Sequence, residues 1–354
     1  MQLSEMFFNE VVKIIIETNF PDLQYAAGLI GTGSEVLGFD TERSTDHHWG
    51  PRVMLFLEEK DFDKKDHISK IWSEQLPATF KGYSTHFSEP DDHGVQLLIE
   101  AKEVKLINHR VEIFTIKSFF YEYLRINPFA KITLFDWLTF SEQKLRTIQS
   151  GKIFYDQIGL KEMLNKFEYY PHDIWLYLLA SEWAKISEEE PFVGRCGDVD
   201  DELGSHIIAA RLVQSLMRLC FLMEKEYVPY SKWFGTAFIR LKSAKKLTPL
   251  LHKVISSDNW KEREKYLSKA YECIAHMHND LKITEPLKIK VTEFYDRPYL
   301  VINGGNFARE IKKQIKNKAI LHIQSEIGSV NQITNSVALL ENDELLQRMK
   351  NLYK

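Results

Sequence analysis

The chain has 354 residues, 44% of them hydrophobic and 12% aromatic, and a formal net charge of −4. That is too long for one ordinary small core, so two domains are expected, and the mild acidity argues against a surface dedicated to long nucleic acid, though not against a local basic groove. Cys196, Cys220 and Cys273 are too few and too far apart for a disulfide framework or a zinc ribbon.

The chain opens with Leu3, Phe7, Val11 and Ile14 at helical spacing behind Ser4, a potential cap. The opening stretch MQLSEMFFNEVVKIII lacks the basic segment, clean apolar run and small-residue cleavage site of a signal peptide. No uninterrupted apolar segment reaches membrane-spanning length, which makes a reducing cytoplasm the simplest location. Strands are expected at Ala26–Ile30, Arg52–Glu58, Gly94–Ala101 and Val111–Ile116, with a helix near Asp66–Gln75. From about residue 141 the pattern turns helical: Ile174–Ile186, Leu203–Lys225 and Trp260–Leu281, with shorter candidates at Ser231–Leu241 and Ser243–Ile255. Short connections favour an antiparallel bundle. Leu287–Asn303 could form a small hairpin, and peripheral helices follow at Asn306–Lys318 and in the last twenty or so residues. The expectation is therefore an α+β domain over residues 1–140, built on a mixed sheet, and a helical domain over 141–354.

The stretch of greatest chemical interest is GTGSEVLGFDTERSTDHHWGPRVMLFL, residues 31–57. Glycines at 31, 33 and 38 permit backbone geometries that let amides approach a phosphate, and the hydroxyls of Thr32 and Ser34 add donors. Such a turn alone is a weak signal. Asp46 strengthens it, because phosphoryl and nucleotidyl transfer need a hard cation held by carboxylates. Two carboxylates one residue apart on a strand share a face. Here the second position of such a pair is His48, whose imidazole suits manganese or zinc better than magnesium, or which is simply a hydrogen-bonded structural histidine. Arg52, directly after Trp49-Gly50-Pro51, could bind phosphate oxygens bidentately or pair with Asp46 or a neighbouring acid.

The run from Gly31 to Leu57 resembles the opening motif of the polymerase-β-like nucleotidyltransferase superfamily. More closely, TGSEVLGFDTERSTDHHWGPR is similar to the bacterial domain-of-unknown-function family 4037. The likeness continues in VEIFTI, EYLRINP, LTFSEQKL, YYPHDIWLYLLASEW, FVGRCGDVDDELGS, YVPYSKWFGTAFIRL and FYDRPYLVIN. The resemblance implies a nucleotidyltransferase-like N-terminal domain and a helical C-terminal domain. It places Gly33 and Ser34 on the phosphate-binding turn and Asp46 on the first metal ligand. His48 departs from the pattern at the second ligand. The third carboxylate of such sites comes from a later, neighbouring strand, for which Glu112 in VEIFTI is the first choice and Glu100 the alternative; it serves as metal ligand, general base or both. Otherwise each is an edge or rim residue.

Other candidates read more plainly. The acids Asp198, Asp200, Asp201 and Glu202 fail as a calcium loop, because the glycine is misplaced and the twelfth position is Ala209. They fit a helix N-terminus, or a wall that attracts a cationic substrate. Arg211, and Lys232 with Trp233, could contact a nucleotide or be solvated. Asp173 after Pro171 fits a cap better than a metal phosphohydrolase motif. His276 and His278, two apart on a helix, do not share a face.

The leading expectation is a metal-dependent nucleotidyltransferase moving a nucleotide monophosphate from an NTP to a small hydroxyl-bearing acceptor. Thr32, Gly33, Ser34, Arg52 and Lys232 would bind the nucleotide; Asp46, His48 and Glu112 would hold Mg2+ or Mn2+, with Asp46 and Glu112 catalytic. The alternative is a catalytically inactive relative that binds a nucleotide or a protein. Neither involves long nucleic acid or a membrane.

Overall fold

The computed structural model describes residues 1–45, 49–92, 94–101 and 104–354. It has a mixed sheet and many helices, an α+β composition. The chain forms two compact units: Met1–Ile132 with Lys144–Glu168, and Thr133–Gln143 with Tyr169–Lys354. It thus passes between units three times rather than once near residue 140.

The reason lies in a strand absent from the sequence reading. The first unit's sheet runs β5-β2-β1-β6, with β1 at Tyr25–Leu29, β2 at Arg52–Leu57, β5 at Arg110–Thr115 and β6 at Lys152–Asp156. The two-residue strands β3 (Thr79–Phe80) and β4 (Tyr83–Ser84) make a separate hairpin. β1 pairs antiparallel with both β2 and β6, whereas β2 and β5 run parallel from Arg52↔Arg110 to Leu57↔Thr115. Pairing with β1 therefore carries residues 144–168 back to the first unit. At the bulge between Ala27 and Gly28 the backbones come close: a Cβ on Gly28 would lie 2.6 Å from the Lys152 carbonyl, so only glycine fits.

β1 and β2 are buried along their whole length, as expected of central strands. One face packs on the N-terminal helical segment Gln2–Asn19, whose Phe7, Phe8, Val12 and Ile16 join Ala27, Val53, Leu55 and Trp72 in one cluster. The strand expected at Gly94–Ala101 does not form; that stretch contributes the single bridge Phe87↔Leu98, and Leu97 and Ile99 are exposed. β5 leads into the helix Ile116–Leu124 through a capping box between Thr115 and Ser118.

The second unit is mainly helical: His172–Glu189, Phe192–Gly197, Glu202–Glu224, Ala244–Ser256 and Trp260–Asp280 carry most of its core. A hairpin of β7 (Thr292–Phe294) and β8 (Arg297–Val301) precedes the helix Gly304–Lys312. The Glu190 carboxylate accepts the amides of Ile302, Asn303 and Gly304, fastening the hairpin exit to the end of the long helix. Trp183 stacks on Phe307 at 4.2 Å, with His278 edge-on to Phe307 at 4.9 Å. Glu202–Glu224 is long and apolar enough to cross a membrane by length and composition alone, although Arg211 and Arg218 interrupt it, and 61% of its apolar window is buried within the fold.

Candidate functional site

β1 ends in the turn Gly31-Thr32-Gly33, which enters the short helix Ser34–Leu37 and leaves it through Gly38 in the left-handed region. Gly33 has φ 140°, a conformation that strains any L side chain. The space on its Cβ side is also taken, because a Cβ there would fall 2.1 Å from Nη2 of Arg52.

Arg52 begins β2 and turns its guanidinium under this turn. Its Nε donates to Oε1 of Glu35 at 2.8 Å, and Nη2 lies 2.7 Å from the same oxygen and donates to the Thr32 carbonyl. Both side chains are almost wholly buried, at 3% and 5% exposure. The bidentate role on phosphate is thus filled by the protein's own carboxylate, of the two options the sequence left open. Glu35 was not singled out from the sequence.

On the parallel neighbour, Arg110 sits in register with Arg52, and Glu112 in register with Met54. Burial, reinforced by the Arg52 charge, pushes the Arg110 guanidinium below its ordinary value, against the pull of Glu112 and Glu35. Arg110 Nη2 lies 3.4 Å from Glu112 Oε1, and the Glu112 side chain is 38% exposed. Glu112 is therefore a solvent-reachable acid on the strand beside β2. Glu100 is exposed and belongs to no strand.

The turn has a second layer that the sequence reading missed. The Gly31 amide donates to the Thr147 carbonyl at 3.4 Å, and the Thr147 and Tyr123 hydroxyls are 2.6 Å apart. Lys144 Nζ stands 5.4 Å above the Tyr123 ring. An ammonium and two hydroxyls thus gather beside the turn from segments more than ninety residues downstream, too distant for a local pattern to reveal. Thr32 is exposed and Ser34 half-buried.

Asp46 and His48 lie outside the described residues. Among the described residues no three His, Cys, Asp or Glu side chains gather as a metal-binding group. Lys232 is in the second unit, exposed, with Nζ 4.9 Å from the Trp233 ring centroid. Arg211 pairs with Glu189. The acidic run is structural: Asp201 caps Gly204, Glu202 holds Arg263 and the Trp260 amide, and Asp198 accepts from Tyr299. Asp173 accepts from the amides of Lys316 and Asn317, so it fastens a distant loop rather than its own helix.

The protein is thus an α+β chain with a Gly-Ser turn, buried arginines and a half-exposed glutamate at one end of a mixed sheet. Residues 137–234 match the family described as Domain of unknown function (DUF4037), to which that stretch is similar. The turn and β2 fall outside the match. No curated protein matches the chain.

Proposed function

We propose that the first unit is a polymerase-β-like nucleotidyltransferase domain, which moves a nucleotide monophosphate from an NTP to a small hydroxyl-bearing acceptor in the cytoplasm. The observation that carries this reading is the β2–β5 parallel register. It sets Glu112 on the strand adjoining the one that follows the Asp46 segment, while the Gly-Ser turn closes β1 beside them. The turn amides and the Thr32 hydroxyl would face the triphosphate, with Lys144 as a further cation beside the turn. Asp46, His48 and Glu112 together would hold Mg2+ or Mn2+. That ion would neutralise phosphate charge when bound.

In the transfer, the acceptor hydroxyl oxygen bonds to the α-phosphorus and the bond from that phosphorus to the β-phosphate bridging oxygen breaks. Pyrophosphate leaves, and the hydroxyl proton passes to Glu112. Glu112 is suited to this by its exposure, which leaves one face open to an acceptor.

A second reading, a nucleotidyltransferase-like module without catalysis, is favoured by the Arg52–Glu35 pair, which withholds a cation from the turn. Release of pyrophosphate from each NTP, with pooled small alcohols and amino alcohols as acceptors, separates the two. The first reading expects metal-dependent release that falls at least about a hundredfold in Glu112→Gln, the scale of a lost general base, and disappears in Asp46→Asn. Turnover that survives Asp46→Asn would overturn the assigned site, and no turnover with any NTP and either metal would remove the first reading in favour of the second.

A further inference from the structure

The second unit holds a partly open pocket of about 130 Å3 that the reading above does not use. Its wall includes Glu142, Arg218 and Val228, which also line a recess of about 10 Å3 behind it. The pocket is close in size to the roughly 150 Å3 cavities that hold a benzene-sized molecule, and the recess to a single water-sized group.

The polar groups there are unevenly matched. Glu142 is buried; its carboxylate meets Arg218 through one long contact, Oε2 to Nη1 at 3.4 Å, and accepts from the Val228 backbone amide, and burial pushes its pKa up. Glu182, also lining the recess, has 0% exposure. Its Oε2 accepts from Gln332 at 2.7 Å, while its Oε1 is buried with no hydrogen-bond partner. Gln143 Oε1, on the pocket side, is likewise buried and unpartnered. Asn331 is committed already, donating to the Phe140 carbonyl and accepting from the Glu142 amide. With Glu341 at the rim, three carboxylates confront one guanidinium. An unpaired buried acceptor costs about 1–3 kcal/mol, more when charged, so such oxygens call for a donor. The mouth, by contrast, offers apolar surface from Phe234, Val337 and Leu340.

We propose that this pocket binds a small primary ammonium compound. The –NH3+ head lies between Glu142 and Glu182 and donates to Oε1 of Glu182, and the short carbon tail runs along Phe234, Val337 and Leu340. Arg218 and the three carboxylates together leave room for one more positive charge and reject an anion. The site stands in the second unit and does not depend on nucleotide binding by the first.

Calorimetric titration of the full chain with hexylamine, hexanol and hexanoate tests this, because the three share a tail and differ in the head. Hexylamine is expected to bind at least about tenfold more tightly than hexanol, the worth of one charge-assisted bond, and hexanoate not at all. Glu182→Gln should bring the amine down to the level of the alcohol. Equal affinity for all three, stronger binding of hexanoate, or no heat with hexylamine at millimolar concentration would overturn the proposal. Should Glu182→Gln fail to fold, the three-ligand comparison on the unaltered protein decides the question alone.

Discussion

Two buried arginine–glutamate pairs, one in each unit, show opposite degrees of completion. Arg52 and Glu35 meet at 2.7 and 2.8 Å, and the guanidinium also reaches the Thr32 carbonyl. Arg218 and Glu142 share a single 3.4 Å contact, with an unpartnered carboxylate oxygen of Glu182 on the same recess. A complete pair fixes backbone: it holds the turn after β1 and requires glycine at position 33. An incomplete pair leaves electrostatic demand that a ligand can meet. Burial of charge is common to both, so burial alone does not distinguish scaffold from site.

The largest effect expected is from Arg52→Ala, which strands the Glu35 carboxylate in the interior. Denaturant unfolding should show a loss of about 3–5 kcal/mol, as for other broken buried pairs. A loss within experimental scatter would break the contrast. Next comes a buried group with no counter-charge. His278 is fully buried among aromatic rings, and burial pushes its pKa down to about 4. The unfolded chain titrates nearer 6.5 and binds the proton first, so His278 stabilises fully above that pH. This contribution is lost as pH falls towards 4, to the extent of roughly 3 kcal/mol. Stability measured from pH 7 to 4 should fall less steeply in His278→Gln; identical slopes would contradict the assignment. Arg218→Met should cost less than Arg52→Ala, about 1–3 kcal/mol, because the contact it removes is long and single. A cost equal to that of Arg52→Ala would mean that the second pair is scaffold too.

Much of the fold was legible in the sequence where local pattern decides structure. The β1 and β2 runs are continuously apolar, and the long helices keep their period over many turns. β6 escaped because its five residues are half-exposed and its identity as a strand comes only from pairing with β1. Gly94–Ala101 misled for the converse reason: it alternates, but no neighbouring strand extends its single bridge. At the turn, Gly33 and Arg52 could be named from their spacing, whereas Glu35, Tyr123, Lys144 and Thr147 converge only through tertiary contacts. The pocket residues Glu142, Glu182 and Arg218 are some forty residues apart on helices. The one signal available was a charged residue set among apolar neighbours, Glu182 in LLASEW and Arg218 in LMRLCF.

The most direct test of the nucleotide site is the thermal unfolding midpoint with ATP, GTP, CTP and UTP, each with Mg2+, Mn2+ or EDTA, in the wild type and in Asp46→Asn. A nucleotide at a hundred times its dissociation constant adds about 2.7 kcal/mol, so the account predicts a clear, metal-dependent rise with at least one NTP that vanishes in the variant. An unchanged midpoint with every nucleotide, or a rise that persists in EDTA and in Asp46→Asn, would contradict it.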